Sequence, residues 1–221
     1  MNKTILTSVK LTKTTFTFFA AALLFLSATI ALAASKDKTP NPQVVMETTS
    51  GSFTIELFPN EAPITVKNFL QYVDDNFYNG TTFHRVAPTF VLQGGGYTYD
   101  FSQKATRDPI ENEASSNLKN AMWTLSMART SNPNSATSQF FINLNDNKNL
   151  DKSGSSAGYA VFGKVLSGFD VLKKIEREPR GIHRTRPEAP NYAVIIQKAY
   201  RYKADTSDDT EIPETTTKNV N

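Results

Sequence analysis

Eight short strand-like runs and only two helical stripes, set far apart along the chain, most narrow what this sequence can fold into. The runs cover 44–48, 53–57, 82–86, 90–93, 123–128, 139–143, 159–165 and 193–202. The second alternates strictly, Phe53, Ile55 and Leu57 against Thr54 and Glu56, and the polar residues 49–52 before it supply a hairpin turn. Pro63 suits the first position of a helix. Val66, Phe69, Leu70 and Val73 then recur at helical spacing, which predicts about three turns with one apolar stripe. A second short helix is predicted over 168–177, with Val171, Leu172 and Ile175 inward and Pro179 stopping it. Two helices among so many strands argue against alternating βα units. The expected fold is mainly β: a closed eight-stranded antiparallel barrel capped by two α-helices, since closure removes exposed strand edges.

The two ends lie outside that pattern. Lys3, Lys10 and Lys13 precede an apolar stretch at 16–30, and Ala31-Leu32-Ala33 supplies a small-x-small cleavage site. Residues 1–33 therefore read as a cleaved signal peptide. The apolar stretch is shorter than the ~20 residues of a membrane span, so no stable anchor is expected after cleavage. The expected destination is export, the periplasm before the medium. This leader holds three of the 24 Lys and Arg and none of the 21 Asp and Glu, so the remainder is neutral. A neutral chain gives no field-level reason to bind nucleic acid. Residues 34–43 read as a flexible linker, 44–203 as one domain, and 204–221, acidic and Thr-rich, as a disordered tail. With no Cys the domain must be held by its core, and it is expected to be a monomer. The basic run at 173–186, interleaved with Glu176 and Glu178, reads as a solvated helix end and loop.

The chemistry concentrates in FHRVAPTFVLQGGG (83–96) and SQFFIN (138–143). Here Arg85 and Gln93 stand beside Phe83 and Phe90, and Gln139 beside Phe140 and Phe141. An arginine among phenylalanines can seat an apolar ring and redistribute charge in an amide without breaking a bond. The same pattern also fits the ordinary rim of a barrel, with Phe140 as plain core. His84 and His183 are the two histidines, too few for a structural metal site without Cys, and no cofactor is expected. His84 reads as a hydrogen-bonded core residue. Gly94-Gly95-Gly96 lacks a following Lys-Ser/Thr and reads as a tight strand exit. Gly154 to Gly158 matches G-x-S-x-G, with Asp170 and His183 after it in the order of an esterase triad. A nucleophile elbow needs a strand before it and a helix after it, and a polar run and a strand stand there instead.

Taken in order, FHRVAPTFVLQGGG, LSMART with SQFFIN, and YAVFGKV resemble the cyclophilin-type peptidyl-prolyl isomerases over nearly all of 44–203, and exported bacterial members most. The resemblance implies acceleration of Xaa-Pro isomerisation in proline-containing, unfolded or partly folded exported polypeptides. Arg85, Gln93 and Phe90 would be catalytic, with Gln93 orienting the guanidinium. Val91, Phe141, Leu150 and Tyr159 would seat the proline, and Gln139 would bond the substrate backbone. The backbone of Ala128, Arg129 and Thr130 would pair with the extended peptide. Eukaryotic members commonly carry Trp, His and Met where this chain has Asn149, Tyr159 and Val91, and the Trp replacement removes a feature that favours the inhibitor cyclosporin. A proline-peptide-binding chaperone with weak turnover is the alternative from the binding class, and a serine esterase through Gly154 to Gly158 the more distant one.

Overall fold

Alternation fixes the first two strands. In a computed structural model that describes residues 40–183 and 186–203, β1 (Gln43–Thr48) turns Val44, Met46 and Thr48 inward. The strand β2 (Gly51–Leu57) does the same with Phe53, Ile55 and Leu57. The two pair as an antiparallel hairpin from Gln43–Glu56 to Thr48–Gly51. The leader 1–33, linker residues 34–39 and the tail 204–221 lie outside the described residues, while Gln43, expected in the linker, already opens β1.

Six further strands join the sheet: β3 (Arg85–Ala87), β4 (Val91–Gly94), β5 (Thr124–Met127), β6 (Phe140–Asn143), β7 (Val161–Ser167) and β10 (Ile196–Arg201). Their order is β10-β1-β2-β7-β5-β6-β4-β3, and every pairing is antiparallel. The sheet curls through 227° as an open half-barrel, which corrects the expected closed barrel. No strand ladder joins β3 to β10. Instead the chain before β3 meets the start of β10 through an isolated Thr82–Ile195 bridge and a few backbone bonds, among them one from Gly80 N–H to Ile196 O (2.8 Å). Two others run from Phe83 N–H to Val194 O (3.0 Å) and from Ile196 N–H to Thr81 O (2.7 Å).

Two helices pack on the sheet. The helix α1 (Pro63–Asp74) has Pro63 in its first turn and buries Val66, Phe69, Leu70 and Val73, as the spacing predicts, and Tyr72 besides. Its first turn has no cap from its own neighbours. The carboxylate of Glu113 caps it instead, accepting from Ile64 N–H (3.0 Å), Thr65 N–H (2.7 Å) and Thr65 Oγ1 (2.7 Å). The helix α2 (Phe169–Glu176) buries Leu172 and Ile175 and starts at Gly168, whose φ of 81° and contact with Ser52 O leave no room for a Cβ.

A second sheet was not anticipated. Strands β8 (Arg180–His183) and β9 (Arg186–Pro190) form a hairpin where a solvated helix end and loop were expected. Pro187 and Pro190 hid it, since prolines argue against a strand unless it is an edge, and here it is one.

The core fills the concave side of the sheet. Phe53, Phe69, Tyr72, Tyr78, Phe83, Phe140 and Phe162 are all buried within it. Phe69, Tyr78, Phe83 and Phe140 meet edge-on or tilted at 5.2–6.0 Å, the arrangement that ring quadrupoles favour. Phe140 is plain core, as read. Trp123 lies at the core margin, edge-on to Phe169 at 5.4 Å.

Candidate active site

A second, smaller apolar cluster stands apart from the core. Ala87, Val91 and Phe141 are buried in it, and Phe90, Ala128, Leu150 and Tyr159 pack against them while staying partly exposed. Side chains alternate across a sheet, so one face of β4 and β6 supplies core residues while the other supplies these. Leu92 and Ile142, paired across the ladder, point to the core; Gln93 and Phe141, the next pair, point away. The Phe141 and Tyr159 rings meet edge-on at 5.6 Å.

Register aligns the polar groups beside that cluster. Arg85 on β3 faces Gln93 on β4, and Gln93 faces Phe141 on β6. The Arg85 guanidinium stands 5.6 Å from the centroid of the Phe90 ring, within cation–π reach. Its side chain is 35% exposed, so it is neither buried in the barrel nor loose in solvent. Gln93, expected to orient it, hydrogen-bonds elsewhere. The Gln93 Nε2 donates to Gln139 Oε1 at 3.0 Å, because the two amides meet across β4 and the start of β6. The guanidinium instead donates through Nε to Glu188 Oε2 at 2.7 Å, and Glu188 comes from the unanticipated β9. No motif or periodicity marked Glu188; only its place between two prolines in an edge strand could have.

Arg129 lies at the Tyr159 side. Its guanidinium stacks over the Tyr159 ring at 4.3 Å and donates from Nε and Nη2 to Gly158 O (3.1 and 2.9 Å) and from Nη1 to Thr130 O (2.8 Å). Ala128 N–H donates to Gln139 O, and Thr130 N–H to Ser135 Oγ. Thr130 is exposed and does not join the apolar cluster.

A buried amide network holds the walls. Asn120, Asn143 and Asn147 are all 5% exposed or less. Asn147 Nδ2 donates to Phe90 O (2.9 Å) and to Asn143 Oδ1 (2.7 Å). Asn120 Nδ2 donates to Leu150 O (3.0 Å), and Asn120 Oδ1 accepts from Ser126 Oγ (2.7 Å). Leu150 O also accepts from Tyr159 N–H at 3.0 Å, so three wall residues hang from one network. Behind Gln139, burial pushes the Tyr78 phenol above its ordinary value, so it stays a donor, to Ser138 O at 2.9 Å. His84 is buried and edge-on to Tyr97 at 4.8 Å.

The other sequence patterns resolve simply. Gly95, with φ of 82° and the Tyr78 and Phe140 rings within 3.0 Å of any Cβ, makes the tight exit from β4. Residues 153–156 form a turn closed by a Ser153–Ser156 bridge, and 157–160 lead from it towards β7, without an elbow's strand–turn–helix frame. Among the described residues, no three His, Asp or Glu side chains are grouped to hold a metal, and no helix is long and apolar enough to cross a membrane.

A family model described as cyclophilin type peptidyl-prolyl cis-trans isomerase/CLD matches residues 43–201. The chain belongs to that family. A peptidyl-prolyl cis-trans isomerase of Acinetobacter baylyi is 54% identical over 160 residues, covering 71% of this chain and 85% of the relative. Isomerase B of Escherichia coli is 48% identical over 157 residues, covering 70% of this chain and 96% of the relative. The crystal structure of a Cryptosporidium parvum cyclophilin type isomerase superposes with a TM-score of 0.62 at 27% identity, covering 74% of this chain and 99% of that one. This cyclophilin is therefore a peptidyl-prolyl cis-trans isomerase, with the two-helix, mainly β fold of its family and proline-containing peptides as its substrate class.

Proposed function

We propose that Arg85 is the group that lowers the rotational barrier, without covalent chemistry. The Xaa-Pro bond interconverts over tens to hundreds of seconds uncatalysed. Bringing that to milliseconds needs about four decades, or roughly 5–6 kcal/mol. The barrier is lost amide resonance, so the twisted state carries a pyramidal proline nitrogen with a free lone pair. A cationic donor aimed there stabilises the twisted form and offers little to the planar one. A hydrogen bond to a charged group, ~1.5–3 kcal/mol, supplies up to about half the requirement. The apolar cluster adds to it, because the planar amide is the more polar form and loses more on leaving water.

One observation carries this reading: the guanidinium stands partly exposed beside Phe90, at the margin of an apolar cluster that is not part of the core. Phe90, Val91, Phe141, Leu150 and Tyr159 seat the proline ring. Gln93 and Gln139, bonded to each other, bind the substrate backbone. With Ala128 N–H and Thr130 N–H already engaged, an extended peptide pairs with the Ala128 carbonyl and Arg129 amide as an added strand. The 1–33 leader directs export, where the enzyme accelerates the folding of other exported chains; N-terminal sequencing of cell fractions tests this, and an intact Met1 on an intracellular protein contradicts it.

A protease-coupled assay on a short Xaa-Pro peptide, run beside peptide binding, tests the mechanism. In Arg85→Ala turnover falls while binding persists. Equal turnover by parent and variant removes Arg85 from its role, and negligible turnover by the parent with firm binding supports the chaperone. Ester hydrolysis abolished by Ser156→Ala would favour the esterase.

A further inference from the structure

We infer that Glu188 is a positioning residue for isomerisation, fixing the direction in which Arg85 presents its donors; this rests on Arg85 having the role given above. Three observations converge. The carboxylate engages Arg85 through Nε, at 2.7 Å, so the two terminal nitrogens stay outside that contact. A bond at Nε lies in the guanidinium plane and sets where the Nη1 and Nη2 fork points. The Phe90 face, 5.6 Å from the same guanidinium, restricts it from another side. Finally, Glu188 is a non-glycine residue at φ of 63°, a left-handed conformation that surrounding structure must hold in place.

The hairpin supplies that hold. Pairing runs from Arg180–Pro190 and Gly181–Ala189 at its base, and Asn191 N–H to Pro179 O (2.7 Å) closes it. Ala189 and Pro190 are buried, whereas Glu188 stays partly exposed, turned to Arg85. Two prolines flanking the strained residue, at 187 and 190, limit the ways the strand can relax. Arginine has a long side chain with many rotamers, so without a partner its donors spread over directions that miss a twisted proline nitrogen. Pre-organisation is needed because the twisted form exists only at the barrier, and a donor not already aimed contributes less to it.

The test is a mutant cycle on the full chain, with kcat and KM measured separately on an Xaa-Pro peptide. Glu188→Ala and Glu188→Gly are expected to lower kcat roughly 5- to 20-fold with KM within about twofold, the split for an interaction made only at the barrier. Glu188→Gln, which keeps an acceptor oxygen but not the charge, is expected within about threefold of the parent. Glu188→Gly relieves the left-handed strain, so it folds at least as well as the parent and separates lost aim from lost structure. In an Arg85→Ala background, Glu188→Ala has no further effect. The inference is overturned if Glu188→Gly and Glu188→Ala keep parental kcat, or if the penalty persists undiminished in the Arg85→Ala background. Parental turnover in Arg85→Ala alone defeats the underlying reading instead, a pattern distinct from both.

Discussion

Replacing Asn120 with alanine is expected to weaken the fold and the proline site together. The Asn120 side chain is 2% exposed and bonds Ser126 Oγ (2.7 Å), Leu150 O (3.0 Å) and Asp151 Oδ1 (3.1 Å). On its removal, Leu150 O keeps Tyr159 N–H, and Asp151 Oδ1 keeps the Asn120 N–H at 2.7 Å. Ser126, fully buried, loses its acceptor. A stranded buried hydroxyl costs about 1–3 kcal/mol and the other lost bonds about 1 more, so the variant loses roughly 2–4 kcal/mol. For a domain of this size that lowers the thermal midpoint by roughly 5–15 °C. Trp123 reports unfolding, since it is the one tryptophan, its backbone N–H donates to Asn143 O and its ring packs on Phe169. Urea titration followed by its fluorescence gives the free energy. Adding Ser126→Ala removes the stranded group and returns about 1 kcal/mol or more, because an absent donor is cheaper than an unmet one. At temperatures where the variant is folded, kcat/KM falls several-fold, since Leu150 is a wall of the site. A loss under 1 kcal/mol, or no recovery from Ser126→Ala, refutes the network argument.

Three further outcomes are expected. Glu113→Ala removes the cap of α1 and lowers stability by about 1–2 kcal/mol in urea titration, with turnover per folded molecule unchanged. Phe141→Leu deletes one face of the proline seat; it raises KM roughly 3- to 10-fold with a smaller change in kcat, read from initial rates. Asp74 accepts from Arg201 at 2.7 and 2.6 Å, and that bond holds its carboxyl below the usual carboxylate range. A lowered folded value means its contribution is present above the unfolded value near ~3.9 and is lost as pH falls through the folded one. Asp74→Asn therefore lowers the midpoint near neutral pH by up to about 3 °C, the pair being half exposed, and the gap to the parent closes in strong acid.

How far the sequence was legible follows from the range of each signal. The inward residues of β2 and α1 are readable because alternation and helical spacing are local. The family motif likewise pointed to Arg85, Phe90, Val91 and Phe141: the register sets Arg85 and Phe141 on either side of Gln93, and the small apolar cluster gathers Phe90, Val91 and Phe141 beside them. What stayed hidden depends on residues far apart. Glu113 caps a helix 49 positions away, and Glu188 meets Arg85 across 103. The β8–β9 hairpin was masked by its own prolines, and the Gln93–Gln139 bond by the choice of partner that only tertiary packing makes. Open rather than closed curvature lay beyond reach too, since the missing ladder concerns the chain at 81–83 and 194–195, outside the named strands.

The central claim is that one guanidinium stabilises the half-rotated peptide bond. Its most direct test is the cis–trans exchange rate of an Xaa-Pro peptide while bound at saturation, measured by NMR exchange spectroscopy for the parent, Arg85→Lys and Arg85→Ala. The account predicts exchange slowed at least about tenfold in Arg85→Ala, the equivalent of ~1.4 kcal/mol or more, with Arg85→Lys between and both isomers still bound. Unchanged on-enzyme exchange in Arg85→Ala would contradict it.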